Sequence, residues 1–411
     1  MHSPEVKAIQ KKSIKVLASA QVLSGIGSAG TVAAGSLLVT AITHSETLAG
    51  LTQTFSVLGA AAMAVPLSRL TQRGGRRLGL ATGYAVGATG ALLAIIGGSN
   101  KWILFMLSGA FLLGAASAAG YQARFAATDL ATPESRSKHL SFVVWGSTIG
   151  AVAGPNLMGP SGHIAEFFGL PKLVGPYVVA LITLTIGASI IQFLLRPDPY
   201  LHAIHVTDTG KVKPKLLSPR AALQLIRKNV RALFAIASIA IGHVAMVSIM
   251  VMTPIHMAHV DVTLTIIGLV ISVHIAGMYA FSPIIGWMSD KFGRVKIIRL
   301  GVFILLLSAV LSGTAPAESA IRMGIGLFLL GLGWSCTLIG GSTLLSESMD
   351  AEHRPSAQGA SDLLMNLSGA GGGALAGVVI GTLGYGWLCL LAALPVGLLG
   401  IWSFRKKVNA N

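Results

Sequence analysis

The sequence predicts an all-α membrane protein of twelve transmembrane helices arranged as two pseudo-symmetric halves of six. Three observations carry this. The 411 residues are 53% hydrophobic and only 11% charged, with a mean hydropathy of +0.74, whereas soluble domains carry about 25% charged residues. Apolar runs of some twenty residues recur along the whole chain, each able to cross a hydrocarbon layer about 30 Å thick at about 1.5 Å per residue. Finally, 27 of the 30 Lys and Arg fall on one side of these runs, and only Lys101, Lys172 and Arg322 on the other. That positive-inside bias places both termini in the cytoplasm of a multi-pass protein. It also explains the net charge of +16 as topology. No aromatic-interleaved basic face accompanies the charge, so the expected partner is a lipid bilayer and not nucleic acid.

The runs, in order, are 16–42, 47–68, 78–98, 102–127, 139–165, 173–196, 230–258, 264–288, 297–315, 319–346, 358–383 and 385–404. The first is about 26 residues long, against about 7–15 for the core of a cleaved signal peptide, so it reads as a membrane span. The one extended polar interruption divides the chain into an N-terminal half (1–196), a cytoplasmic linker (197–229) and a C-terminal half (230–411). Within the linker, Ser218 and Pro219 form a helix start, and Leu223, Ile226 and Val230 follow at helical spacing. This predicts a short basic amphipathic helix along the cytoplasmic interface. Cys336 and Cys389 both lie inside apolar runs and predict no disulfide.

The halves repeat. TPESRSKHL follows the fourth run and DAEHRPSAQ the tenth. Each leads into a glycine-stepped helix, with Gly146, Gly150 and Gly154 in one and Gly369, Gly373, Gly377 and Gly381 in the other. A small residue every fourth position lets helices approach closely.

Runs seven and eight carry the densest chemistry. Met246 and Met250 share a helical face with His243, while His274 and Met278 share one on the next run. For an antiparallel hairpin turning near Val262, Met250 and His274 are equidistant from the turn, as are Met246 and Met278. Thioethers and an imidazole at matched depth make a soft ligand set suited to Cu(I). His243, His256 and Met257 extend that face as possible further ligands. Methionine is also an ordinary packing residue, but an intramembrane histidine is costly and marks a functional site by default. Elsewhere, Tyr121, Gln122 and Arg124 in run four can meet a polar substrate, with the alternative that Arg124 snorkels to the interface near Asp129. Asp362 and Asn366, one turn apart in run eleven, form a gate, a proton site or a structural pair.

The loop Gly286-Trp-Met-Ser-Asp290-Lys-Phe-Gly293-Arg294 resembles the GxxxDRxGR signature of the major facilitator superfamily. The equivalent first-half loop, Ser68 to Arg77, keeps Arg73, Gly75 and further arginines but has Gln72 where the family has Asp and Ser68 where it has Gly. The resemblance implies a major facilitator fold around a central site, with these loops controlling conformation. More narrowly, Met246-xxx-Met250 with His274-xxx-Met278 is similar to the pairing of the CcoA-like copper importers. That implies copper as transported substrate at Met246, Met250, His274 and Met278, with no permanently bound cofactor, in a monomer of the bacterial cytoplasmic membrane. The same branch contains riboflavin transporters that lack the pairing. Gly150-AVA-Gly154-Pro155 resembles an element of drug:proton antiporters, although the arginine such exporters carry near position 110 is absent. Export of organic compounds is therefore the alternative, and a non-transporting receptor or assembly factor the third reading. No nucleophile–base set and no P-loop is present, so neither an enzyme nor an ATP-driven pump is expected.

Overall fold

The structure, a computed structural model, describes residues 3–44, 51–207, 219–258, 264–316 and 318–409. Helices account for nearly all of these. The first, α1 (Pro4–Thr43), opens on Ser3, whose hydroxyl accepts the Val6 amide, with proline at the first helical position. Next, α2 (Leu51–Asn100) is 50 residues long, or about 75 Å if straight. That is far more than one crossing needs. It is broken at Gly75, at φ 87° and ψ 175°, a conformation only glycine adopts freely. Beyond the break the chain folds back, so that Gly79 lies on Thr71 and Gly83 on Leu67. This helix thus supplies the expected span 78–98 and the described part, 51–68, of the expected span 47–68.

Helix α3 (Ile103–Ala126) is followed by α4 (Arg136–Asn156) and α5 (Met158–Phe167), which together form the expected run 139–165. A short 3-10 turn (Lys172–Val174), α6 (Gly175–Leu194), α7 (Pro199–Thr207) and α8 (Pro219–Lys228) complete the first part of the chain. Helix α9 (Val230–Ala258) precedes α10 (Leu264–Tyr279) and α11 (Ser282–Phe292), which share the expected run 264–288. The division falls at Ser282-Pro283, where proline removes an amide donor and starts a new helix. The rest comprises α12 (Arg294–Gly313), α13 (Ala320–Glu347), α14 (Arg354–Thr382), α15 (Tyr385–Ser403) and the short α16 (Lys406–Asn409). Nine stretches among the described residues are long and apolar enough to cross a membrane. With α2 counted as two, and with α1 and the α4–α5 pair, the spans number twelve. Ser218 and the turn near Val262 lie outside the described residues.

The chain forms two compact units. The first contains residues 1–132, 146–222 and 351–363, and the second 133–145, 223–350 and 364–411. Each unit therefore includes a short stretch from the other's part of the chain: the start of α4 belongs to the second, the start of α14 to the first. In the first unit α1, α2, α3 and α6 pack together. Glycine permits the closest approaches, as where Gly59 presses on the Phe111 carbonyl and Gly150 meets the Gly25 backbone. In the second unit α13 is central, with α9, α10 and α12 laid against it. Gly369 lies on the His243 ring and Gly372 on Val244 and Ser248, so α14 packs on α9 as α4 packs on α1. The stripe serves packing only in part, because Gly377 and Gly381 face open space. Large apolar side chains such as Leu104, Phe193 and Ile401 point outward, as a bilayer solvent requires.

Candidate transport site

Helix α13 is a ruler for the methionine and histidine residues of the second unit. On one side it meets α10 in parallel register: His274 reaches Leu327 and the Ser282 hydroxyl reaches Ser335. Gly331 lies against the backbone of His274 and Met278. It meets α9 in antiparallel register, with Gly341 on Ile239, Gly242 on Thr337 and Trp334 bonded to His243. Continuing both registers puts Met250 level with His274, and Met246 level with Met278. Laterally, however, α10 leans chiefly on α13 rather than on α9.

His274 is fully buried, and its Nδ1 lies 2.8 Å from the Leu327 carbonyl. A carbonyl only accepts, so Nδ1 carries the hydrogen and the neutral ring offers its lone pair at Nε2. Among the described residues, nothing gives that buried nitrogen a hydrogen-bond partner. Metal-binding histidines are commonly oriented in this way, one nitrogen anchored to a carbonyl and the other free to ligate. Met246 and Met278 are buried and Met250 half-buried. His243 instead accepts the Trp334 indole N–H at Nδ1, 3.1 Å away. His256 stacks on Tyr385, ring centroids 4.3 Å apart, and Met257 is buried. The three histidines thus engage α13 at two different levels and α15, and do not form one constellation. Among the described residues, no group of three or more His, Cys, Asp and Glu is placed to hold a metal ion. Any metal held near His274 would depend on thioether sulfur.

The signature loop builds a different kind of site. Gly286 packs directly on Ser141 and the Ser137 carbonyl. Asp290 accepts the Ser137 and Lys138 amides at 3.0 and 2.8 Å, capping the N-terminus of α4. Gly293, at φ 100°, turns the chain so that Arg294 reaches Asp290 at 3.1 Å and Glu347 at 2.8 Å. Arg294 also donates to the Pro133 carbonyl.

In the first unit Gly75 has the same backbone conformation as Gly293, and Arg76 pairs with Asp129 through two bonds of 2.7 and 3.0 Å. Both partners lie 218 residues before theirs in the second unit. Arg76 also donates to Gln358 at 2.7 Å. Arg73, singled out from the sequence, is exposed; the buried arginine of this loop is Arg76. Its importance was visible only by laying one half on the other. Asp198 was missed altogether. Its Oδ2 accepts the Arg77 amide and its Oδ1 the Tyr200 and Leu201 amides, and a Cβ at position 75 would collide with it.

Arg124 does not snorkel to the interface beside Asp129. It is 2% exposed and binds Asp362, itself fully buried, at 2.6 Å. Asp129 belongs to Arg76, which removes it as a surface partner. The Arg124 guanidinium also lies over the rings of Phe125 and Tyr121, 4.6 and 5.6 Å from their centroids. Gln122 is turned away from this pair and donates to the Ala64 carbonyl at 2.8 Å. Asn366 is buried one turn beyond Asp362.

Repeated six-span halves, paired glycine–arginine loops and buried intramembrane charges define a helical membrane transporter. The chain belongs to the Major Facilitator Superfamily, whose family model matches residues 17–263 and 245–410. It is 35% identical to the MFS-type transporter YdeG of Bacillus subtilis (strain 168), over 98% of this chain and 94% of that one. It is 26% identical to the riboflavin transporter RfnT of Brucella anthropi, over 86% of this chain and 85% of the relative. Among solved structures, the human organic anion transporter MFSD10 (TETRAN) superposes with a TM-score of 0.75, at 15% identity, over 98% of this chain and all of that one. A bacterial homologue of the iron transporter ferroportin gives 0.73, also at 15% identity, with the same coverage. At such identities these two structures speak to the fold alone.

Proposed function

We propose that this protein is a secondary active transporter of the bacterial cytoplasmic membrane. Both termini are cytoplasmic, and it works as a monomer by alternating access, with Cu(I) as cargo. The cargo is carried by Met246, Met250, His274 and Met278. The observation that supports this most is the buried, unpartnered Nε2 of His274. An unsatisfied acceptor in an apolar interior costs free energy, and a soft cation relieves that cost where water is excluded. Thioethers are neutral ligands, so they bind the ion without locking it in place, as transport requires.

Copper accumulation in cells lacking their own importer tests the proposal. Met250→Leu, nearly isosteric, should abolish accumulation while protein abundance stays unchanged. Equal accumulation by both versions would reject copper. A planar organic solute is the second reading, favoured by the similarity to a riboflavin transporter over 86% of this chain. Under that reading Met250→Leu is mild and riboflavin uptake persists in the variant.

A further inference from the structure

We propose that Asp362 is a proton-exchanging site and Arg124 its counter-charge, the pair closed when the carboxyl is ionised and open when it takes up a proton. This rests on the secondary-transport reading, which requires a driving ion that the cargo site does not supply.

The geometry carries the proposal. Asp362 and Arg124 are 0% and 2% exposed and 2.6 Å apart, inside helices that cross the bilayer. Ionisable side chains at such positions are expensive and concentrate on ion pathways. Among the described residues, the charged and titratable groups that act on Asp362 come from α3 and α2. From α3 come Arg124 and the phenol of Tyr121. From α2 comes Arg76, whose charge is already met by Asp129. On α14 itself the neighbours one turn either side are Gln358 and Asn366, which do not titrate.

Both buried arginines also rest on aromatic rings, and the two pairs differ in how much of the cation's hold survives neutralisation of its partner. Arg76 is held by a carboxylate, the Gln358 amide oxygen and one ring, that of Tyr200, whose centroid is 5.7 Å away. Arg124 is also held by the π-faces of Phe125 and Tyr121, and these attract a guanidinium whatever the charge on Asp362. A proton from water joins a carboxylate oxygen, Asp362 goes from −1 to 0, and the pair from neutral to +1. The positive charge stays on Arg124 over the two rings. Release of the proton reverses each step. Asp362 and Arg124 both lie in the first unit, Asp362 within the ten residues of α14 that belong to it.

Infrared difference spectroscopy of the purified full-length protein, stepped from about pH 5 to about pH 9, reads carboxyl protonation without any cargo. The wild type should show a protonated-carboxyl band that titrates within this range. Asp362→Asn should remove it, and Asp362→Glu should retain it at a shifted frequency. Arg124→Gln should displace its midpoint by about one pH unit or more. A spectrum unchanged by Asp362→Asn overturns the proposal, as does a midpoint indifferent to Arg124→Gln. If Asp362→Asn does not fold, Asp362→Glu decides: a band that keeps the wild-type frequency overturns the assignment. Failure of copper uptake would sink the cargo reading and leave this result standing.

Discussion

Buried ion pairs are where single residues matter most in this protein. Arg76 and Asp129 are both 1% exposed at the side chain, whereas Glu347, the partner of Arg294, is 20% exposed. Removing one member of a fully buried pair leaves an uncompensated charge and costs about 3–5 kcal/mol. Asp129→Asn should therefore lower the thermal unfolding midpoint in detergent substantially. Glu347→Gln should lower it less, because Arg294 keeps Asp290 and water reaches the site. Equal shifts would contradict the burial argument. The charges of these residues were readable from the sequence, but their partners were not. Arg124 and Asp362 are 238 positions apart, and nothing local in either run identifies the other. Periodicity gives the face of a helix, not the helix that face meets.

The two loop glycines provide a controlled comparison among helical elements. Gly75 and Gly293 share a positive φ, so alanine is strained at both. At Gly75 an added Cβ also collides with the Asp198 carboxylate, whereas at Gly293 it meets open space. Gly75→Ala should reduce folded yield more than Gly293→Ala, as measured by monodisperse protein recovered per cell. The glycine stripe of α14 divides in the same way. Gly369→Leu should disrupt packing against His243 and Val247, and Gly377→Leu should be tolerated. Element positions were largely written in the sequence, since run length and loop charge decide them. The sequence did not disclose the divisions of α4 from α5 and α10 from α11, because an apolar run broken by proline looks continuous to hydropathy. Nor could it show that α13 lies against both α9 and α10, since lateral neighbours in a bundle are set by packing across the whole unit.

Across the whole molecule the two halves are copies whose differences are themselves coordinated. Asp290 receives the amides of Ser137 and Lys138. Its counterpart 218 residues earlier is Gln72, and the residue matching Ser137 is Pro355, which has no amide hydrogen. A carboxylate at 72 would lose one of its two donors, and Gln72 instead donates to the Glu352 carbonyl at 3.4 Å. Restoring the family residue should therefore do harm: Gln72→Asp is expected to lower the unfolding midpoint, and Gln72→Asp combined with Pro355→Ser to recover it. A stabilising Gln72→Asp alone would show that the proline is irrelevant. The sequence exposed the departure at 72 but not its reason, which lies 283 positions away. Asp198 has a wider consequence. One oxygen holds the start of α7 and the other the helix that begins after Gly75, so two remote helix starts draw on a single acceptor and must fray together. Deuterium uptake at 76–79 and at 199–202 should consequently rise in step in Asp198→Ala, making the exit of the sixth span a handle by which the connecting segment can pull on the hinge of the second and third.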